Sequence, residues 1–282
     1  MKNNINFMII GGDSRFSYIR TILENKGHCA KRIYPGDYRA DDFQTTDVFI
    51  LPVPVTRDNI NINTPLAGEL FYIGDFIRLL PEKCIVAGGL FSDELTEKLT
   101  KKHISVFDYY KDEKLAEANA IPTAEGVLGI LINAVPSTIN NLSCAVTGYG
   151  KCAKAIIKTL RCLGADITVF ARNPDDINSA EKYGLKAYSF NEMAREAHRF
   201  DAVINTVPAR VIHREITDNL RKDCVLIEIA SAPFGIDFDA AKERGINTIK
   251  AGSLPGRICP KTAGEIICNS VLSYTGSDNN GN

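Results

Sequence analysis

The residues with the clearest chemical meaning form a glycine-rich turn in the second half of the chain. The apolar run 143–147 leads directly into Gly148-Tyr149-Gly150-Lys151-Cys152-Ala153. In such a turn the first glycine permits a tight bend, the second lets the backbone approach a pyrophosphate, and the small last residue allows close packing of helix on strand. An amphipathic helical pattern follows and stops at Gly164. Strand, turn and helix together predict a dinucleotide-binding site, with the phosphates at the helix start.

The next predicted strand ends where an adenosine ribose is expected. A protein selective for NAD normally has an acidic residue there, whereas this chain has Ala171-Arg172-Asn173. Arg172 favours the 2′-phosphate of NADP over NAD, unless it is an ordinary solvated arginine. Later strand ends supply the remaining predicted cofactor contacts, which are Asn205, Thr206, Val207 and Ser231.

These residues need parallel sheets to position them, and apolar runs alternate with helical patterns along the whole chain. The sequence therefore predicts an α/β protein with two Rossmann-like parallel-sheet domains, an interdomain cleft, and a C-terminal helix that returns to the first domain. The predicted segments are an N-terminal substrate-side domain (1–120, with a returning helix at 259–275), a connecting helix (121–136), a dinucleotide-binding domain (137–258) and a disordered tail (276–282). We expect Thr123 to cap the connecting helix and Pro136 to end it.

Composition excludes several classes of protein. The 282 residues include 33 Lys and Arg against 34 Asp and Glu, so the net charge of −1 offers no general attraction for nucleic acid. No apolar run approaches the length of a membrane-spanning helix and no signal-peptide pattern is visible, so we expect a cytoplasmic protein without a membrane partner. The eight cysteines form no CxxC and the four histidines have no metal-ligand spacing, so we expect reduced thiols and no metal.

A second glycine turn, Gly11-Gly12-Asp13-Ser14, follows the first predicted strand. It resembles a phosphate-binding turn but lacks the full glycine spacing. The alternative is a turn in which Asp13 or Ser14 caps the next helix, and this is the interpretation we favour. His198 and His213 fall on helical segments and are expected to be surface groups.

Motifs along nearly the whole chain are similar to those of the dipicolinate synthase A-subunit family. They are Ile9-Ile10-Gly11-Gly12-Asp13 with Arg15, Ile50-Leu51-Pro52-Val53, Ile121-Pro122-Thr123-Ala124-Glu125-Gly126, Val203-Ile204-Asn205-Thr206-Val207-Pro208, Ile229-Ala230-Ser231, and Leu254-Pro255-Gly256 leading to Pro260-Lys261-Thr262-Ala263-Gly264. The stretch 254–264 also resembles the loop that lines the nicotinamide pocket in alanine dehydrogenases and transhydrogenases. The nucleotide turn departs from the family, where a more apolar, arginine-containing version is expected.

This resemblance implies NAD(P)-dependent oxidation of dihydrodipicolinate, or of its hydrated precursor, to dipicolinate during sporulation. It also implies a flavoprotein-like B subunit as partner, and it is compatible with a homo-oligomer. Such a reaction needs a hydride acceptor, a proton route and positive charge for two carboxylates. Lys261 and Thr262 at the last helix start are expected to bind one carboxylate and Arg57 the other, with Glu125 orienting a lysine or relaying a proton. Arg257 is a further candidate site residue, although the family resemblance does not require it.

Each of these residues also has an ordinary alternative role, because charged side chains are usually solvated and threonine commonly caps helices. Two other functions stay open at this point. The chain is compatible with a dehydrogenase of another small carboxylate, although no histidine with a paired carboxylate is apparent. It is also compatible with a non-catalytic nucleotide-binding protein that regulates or scaffolds a partner.

Overall fold

The computed structural model describes residues 4–67 and 69–276. The chain divides into two compact units. Unit 1 comprises the residues up to Asn119 together with those from Cys259 onward, and unit 2 comprises Ala120–Ile258. Of the predicted tail, residues 277–282 lie outside the described part of the chain. Its first residue, Gly276, ends the last helix in the left-handed conformation, with φ of 70°.

Unit 1 is built on a parallel sheet with the strand order β2-β1-β3-β6-β7. The strands of this unit are β1 (Asn6–Ile10), β2 (Cys29–Ile33), β3 (Val48–Ile50), β4 (Asn61–Ile62), β5 (Phe71–Tyr72), β6 (Ile85–Gly88) and β7 (Ser105–Asp108), of which β4 and β5 pair separately as an antiparallel hairpin. The strands after β1 are added first on one side of it and then on the other. The carboxyl ends of β1 and β3 therefore define a topological switch point.

Unit 2 is built on a parallel sheet with the order β10-β9-β8-β11-β12-β13. Its strands are β8 (Ser143–Thr147), β9 (Asp166–Ala171), β10 (Lys186–Ser189), β11 (Ala202–Asn205), β12 (Val225–Glu228) and β13 (Asn247–Lys250). Counted within the unit, this is the order 3-2-1-4-5-6 of dinucleotide-binding domains, with its switch point between β8 and β11. Every residue of β11 and β12 is buried, as expected for central strands covered on both faces.

Helices cover these sheets. They are α1 (Ser14–Asn25), α2 (Ala40–Gln44), α3 (Ile73–Leu79), α4 (Asp93–Lys101), α5 (Glu113–Ala134), α6 (Lys151–Cys162), α7 (Pro174–Lys182), α8 (Met193–Glu196), α9 (Arg214–Asn219), α10 (Phe238–Glu243), α11 (Leu254–Ile258) and α12 (Pro260–Thr275). In α6 the buried residues recur at helical spacing, and they are Ala153, Ile156, Ile157 and Leu160. The predicted amphipathic helix after the glycine turn is therefore confirmed.

The connecting helix differs from its prediction. Instead of a new helix capped at Thr123, α5 runs without interruption from Glu113 through Pro122. Thr123 is buried inside the helix. An internal proline costs roughly 3 kcal/mol through a lost hydrogen bond and a clash with the preceding turn. Burial of the apolar residues that follow, such as Val127 and Leu131, opposes this cost because both are fully buried in the unit 2 core.

The same helix corrects the expectation that no apolar segment approaches the length of a membrane-spanning helix. By length and composition, α5 is apolar enough to cross a membrane, and 44% of its most apolar window is buried inside the structure. A core helix of a soluble protein passes the same test. The buried positions Ala124, Val127 and Leu131 belong to a cluster with residues of β8 and α6, which is the packing expected of a core helix.

The C-terminal helix lies in unit 1, as predicted. Residues of α12 such as Ile267 and Val271 share a buried cluster with Phe16 and Ile19 of α1. The two helices approach each other closely at Gly264, where an added Cβ would stand 2.7 Å from the carbonyl oxygen of Arg15. Glycine is therefore required for this contact. The predicted fold class, two parallel-sheet α/β units with a helix returning to the first, is confirmed.

None of the eight cysteines forms a disulfide in the part of the chain that the structure describes. Burial raises the pKa of Cys84 to about 11 and the pKa values of Cys144 and Cys224 to about 12. These three thiols therefore behave as apolar core groups.

Candidate functional site

The glycine turn of unit 2 bends at Gly148, directly after β8. Gly148 has a φ of 82°, and an added Cβ would lie 2.9 Å from Oγ1 of Thr206 and 3.0 Å from a methyl carbon of Val207. Both the backbone conformation and the neighbouring loop therefore demand glycine at this position. Its N–H donates to the carbonyl oxygen of Phe170 at 2.7 Å, which ties the turn to the end of β9.

Gly150, unlike Gly148, is not required by the backbone conformation or by neighbouring atoms. Its φ of −79° is accessible to any residue, and among the described residues no neighbouring atom lies within 4 Å of the place where a Cβ would stand. The fold therefore does not need a glycine here. Gly150 is the N-cap of α6 and no side-chain hydrogen bond caps that helix start, where the first backbone N–H groups have no acceptor within the helix. An open cradle at a helix start fits the pyrophosphate of a dinucleotide.

The other residues of the turn divide between core and opening. The Tyr149 ring is 7% exposed and packs in the unit 2 core, with the Lys154 ammonium 4.8 Å from its centroid. Ala153 is fully buried, as its role in close helix packing requires. Lys151 and Cys152 are partly exposed, and burial raises the pKa of the Cys152 thiol. Of this set, Lys151 is the residue whose charge suits a phosphate.

A buried polar network lies at the carboxyl ends of the three central strands. Thr147 of β8 donates from Oγ1 to Oδ1 of Asn205 at 2.5 Å, and Asn205 of β11 donates from Nδ2 to Oε1 of Glu228 at 2.6 Å. All three side chains are at most 1% exposed. Such a network is stable because every member is paired. It fixes the relative positions of the strand ends at the switch point.

Glu228 anchors the loop that follows β12. Its carboxylate accepts backbone N–H bonds from Ala230 at 3.0 Å, Gly235 at 2.7 Å and Ile236 at 3.1 Å. Gly235 has to be a glycine, because an added Cβ would clash with Nδ2 of Asn205 and with the carbonyl oxygen of Val207. Sequence reasoning missed Glu228. The available signal was a carboxylate inside the otherwise apolar run Val225–Ile229.

The residues predicted to contact the nicotinamide end differ in how far their side chains are buried and bonded. The side chain of Asn205 is fully buried and also bonds the backbone of Val207, through Nδ2 and Oδ1. It is therefore placed to hold the site in shape and not to touch a ligand. The hydroxyl of Thr206 donates a hydrogen bond to the carbonyl oxygen of Thr147 at 2.6 Å. Ser231 is exposed, in the loop that Glu228 anchors.

At the end of β9, Ala171 is buried and Arg172 is exposed. No hydrogen bond or ion pair holds Arg172 among the residues that the structure describes. Asn173 caps α7 by accepting from the Asp175 N–H at 3.0 Å. Asp175 and Asp176 lie in the first turn of α7, where they stabilise the helix start. Arg172 thus remains available to a ligand, with two carboxylates nearby in the sequence.

The proposed catalytic residues are divided between the units. Lys261 and Thr262 lie exposed in the first turn of α12 and Arg57 lies exposed in the loop after β3, all in unit 1. Glu125, exposed on α5, and Arg257, exposed on α11, belong to unit 2. Within unit 1 the structure joins Lys261 and Thr262 on one helix turn and places Arg57 on a separate loop.

The turn after β1 has the capping role that we favoured for it. Asp13 is the N-cap of α1 and its side chain accepts from the Arg15 N–H. His198 and His213 are exposed, as expected, with His213 near Glu215 at 3.8 Å. Among the residues that the structure describes, no group of three or more His, Cys, Asp or Glu side chains is arranged to hold a metal ion.

Comparisons with known proteins agree with this geometry. Residues 6–110 match the family model for the N-terminal domain of the dipicolinate synthase A-subunit, and residues 138–276 match the NADPH-binding domain of acetohydroxy acid isomeroreductase. The dipicolinate synthase A-subunit of Bacillus subtilis (strain 168) is 27% identical over 97% of this chain and 96% of the relative. Two solved structures are similar over nearly their full length.

The crystal structure of the dipicolinate synthase A-subunit from Bacillus halodurans has a TM-score of 0.86 at 26% identity, covering 96% of this chain and 97% of that one. The dipicolinate synthase A chain from Bacillus subtilis has a TM-score of 0.85 at 25% identity, covering 96% of each chain. Fold and site define an oxidoreductase-type protein with a nicotinamide-dinucleotide unit. The chain is similar over nearly its whole length to dipicolinate synthase A-subunits, and the resemblance that its sequence motifs predicted is confirmed.

Proposed function

We propose that the protein oxidises dihydrodipicolinate, or its hydrated precursor, to dipicolinate with NAD(P) as the hydride acceptor. The observation that carries this proposal is the open glycine cradle at Gly150, placed at the switch point of a sheet with dinucleotide-binding order. It occurs in a chain similar along its length to the dipicolinate synthase A-subunit of Bacillus subtilis. Loss of two electrons and two protons aromatises dihydrodipicolinate, so one hydride leaves with the cofactor and one proton leaves to solvent or a base. The hydrated precursor must lose one water molecule as well.

The bound nicotinamide supplies the hydride acceptor, and the protein supplies binding, orientation and a proton route. In unit 2, the amides after Gly150 and the Lys151 ammonium hold the pyrophosphate. The Glu228 and Asn205 network keeps the loop bearing Ser231 in shape beside the nicotinamide end. Aromatisation is favourable in itself, so positioning contributes more than a strong base. Glu125 is the candidate to orient a lysine or relay the proton.

Recognition of the substrate needs local positive charge, because the net charge of −1 attracts no dianion. Lys261 and Thr262 offer an ammonium, a hydroxyl and the start of a 16-residue helix to one carboxylate. Arg57 and Arg257 are the other exposed cations considered for the second carboxylate. A flavoprotein-like second subunit completes the proposed assembly, in the cytoplasm and in the context of sporulation.

We further propose NADP as the preferred cofactor, because Arg172 occupies the end of β9. Arg172→Ala is expected to weaken NADP binding more than NAD binding by about 1 to 3 kcal/mol, the range for a charge-assisted hydrogen bond. Calorimetric titration with both cofactors measures the difference. Arg195→Ala, which removes another exposed arginine of unit 2, serves as the matched control. Equal losses for both cofactors would mean that Arg172 only stacks on adenine.

The function itself is tested by the absorbance of dipicolinate formed from dihydrodipicolinate and NAD(P), with and without the second subunit. We expect turnover that depends on the cofactor. Cofactor binding without turnover in either condition would favour a nucleotide-binding scaffold. Turnover of another small carboxylate in place of dihydrodipicolinate would identify a different dehydrogenase. Each alternative therefore gives a separate result.

A further inference from the structure

Arg15, at the start of α1 in unit 1, is a buried cation. Its side chain is 9% exposed, which is rare for arginine unless the charge is paired. The pair is with Asp13: Nε lies 2.9 Å from Oδ1 and Nη2 lies 2.8 Å from Oδ2. This two-point contact fixes the plane of the guanidinium. Its remaining terminal nitrogen, Nη1, has no hydrogen-bond partner among the described residues.

The turn that carries this pair is itself held rigidly. Gly11 and Gly12 have φ values of 66° and 74°. A second guanidinium, that of Arg32, donates from Nη2 to the carbonyl oxygens of Gly11, Gly12 and Asp13 at 3.0 to 3.1 Å. Two arginines and one aspartate therefore meet at the turn, and these three side chains together carry a net charge of +1. Arg32 spans the carbonyl side of the turn, where its Nε is buried without a hydrogen-bond partner among the described residues, whereas Arg15 keeps Nη1 unbonded beside its ion pair with Asp13.

The position of the turn is that of a ligand site. It follows β1, whose neighbours in the sheet are β2 and β3, so it lies at the switch point of unit 1. In open parallel sheets, ligands bind outside the carboxyl ends of the strands at such a point. The expected ligand here is an anion. A nucleotide phosphate fits poorly, because the Asp13 carboxylate already occupies the start of α1.

Lys261 lies about one helix turn from a contact between α12 and α1. Gly264 of α12 packs against the backbone of Arg15, and a Cβ added at Gly264 would lie 2.7 Å from the Arg15 carbonyl oxygen. Lys261 precedes Gly264 by three residues in that helix, and residues at this spacing share one helix face. The contact of α12 with α1 thus brings two cations of unit 1 into one neighbourhood. Arg57 has no comparable connection to either of them among the described residues.

We propose that Arg15 and Lys261 form a dicarboxylate-binding site, in which Arg15 binds one carboxylate through Nη1 and Lys261 binds the other. Asp13 is the positioning residue, because it orients the guanidinium of Arg15. This inference rests on the proposed function and names the residues of unit 1 that select its substrate class. It replaces Arg57 as the partner of Lys261.

The test is calorimetric binding of pyridine-2,6-dicarboxylate and of pyridine-2-carboxylate to the full chain in the presence of NADPH. The wild-type protein is expected to bind the dicarboxylate more tightly than the monocarboxylate. Arg15→Met is expected to weaken dicarboxylate binding at least about tenfold and to narrow that preference. NADPH affinity should stay within about twofold, because the nucleotide turn lies in unit 2. Arg20→Met, an exposed arginine on the same helix, is the matched control.

Two further variants cover the case in which Arg15→Met does not fold. Arg15→Lys keeps the charge but loses the two-point contact with Asp13, and Asp13→Asn keeps a helix cap but loses the orienting charge. Both should weaken dicarboxylate binding while leaving NADPH binding intact. Dicarboxylate binding at wild-type strength in folded Arg15 variants would overturn the inference alone. Absence of dicarboxylate binding by the wild-type protein, with NADPH bound, would overturn the proposed function as well.

Discussion

Gly150→Val is expected to abolish binding of NADP and NAD while unit 2 stays folded. The φ of −79° suits valine, and among the described residues the new side chain would meet no neighbouring atom within 4 Å at its Cβ. It would instead fill the space through which the backbone approaches a pyrophosphate. Calorimetric titration measures the loss, and thermal unfolding reports the fold. Unchanged affinity in a folded variant would place the dinucleotide elsewhere.

Two glycines provide the matched comparisons for this experiment. Gly129 of α5 also has open space at its Cβ position, so Gly129→Val should leave dinucleotide binding unchanged. Gly148→Ala tests the opposite case, because its positive φ and its contact with Thr206 make any side chain strained. Loss of binding in Gly148→Ala should therefore come with lower stability. In Gly150→Val, by contrast, dinucleotide binding should be lost while the stability of the fold is retained.

The parts of the fold that sequence predicts well are those with local causes. The glycine turn, the strand before it and the amphipathic α6 follow from residue spacing over a few turns, and each is present. The continuous α5 has a different cause. A rule based on Pro122 predicts a break, but buried packing of residues such as Val127 on the unit 2 core outweighs the local penalty.

The candidate site shows a similar division. Strand ends could be found from the sequence, so Asn205 and Ser231 were named. Whether a strand-end side chain faces a ligand or a neighbouring strand depends on pairing across the sheet. Asn205 faces Thr147 and Glu228, which lie 58 and 23 residues away in the chain. The roles of Glu228 and Arg15 required these long-range contacts, because an isolated carboxylate or arginine is most often a solvated surface group.

Lys261→Met should lower turnover of dihydrodipicolinate, with the second subunit present, at least about 100-fold, which corresponds to roughly 2.7 kcal/mol in the transition state. Removing the ammonium leaves a substrate carboxylate without its paired charge once the ligand excludes water. The affinity for NADP should stay within a few-fold, because Lys261 belongs to unit 1 and the nucleotide turn to unit 2. Methionine retains the length and helix propensity of lysine, so α12 should persist.

The control is Lys101→Met, which removes an exposed lysine of unit 1 whose ion pair with Glu97 lies on the surface of α4 and is expected to contribute little. Steady-state rates at saturating NADP separate an effect on KM from an effect on kcat. A rise in KM alone would assign Lys261 to substrate binding, and a fall in kcat as well would assign it to orientation in the transition state. Normal turnover in Lys261→Met would reduce Lys261 to a surface residue at a helix start. The carboxylate site would then have to lie around Arg57 or Arg257, and the pairing of Lys261 with Arg15 would be wrong.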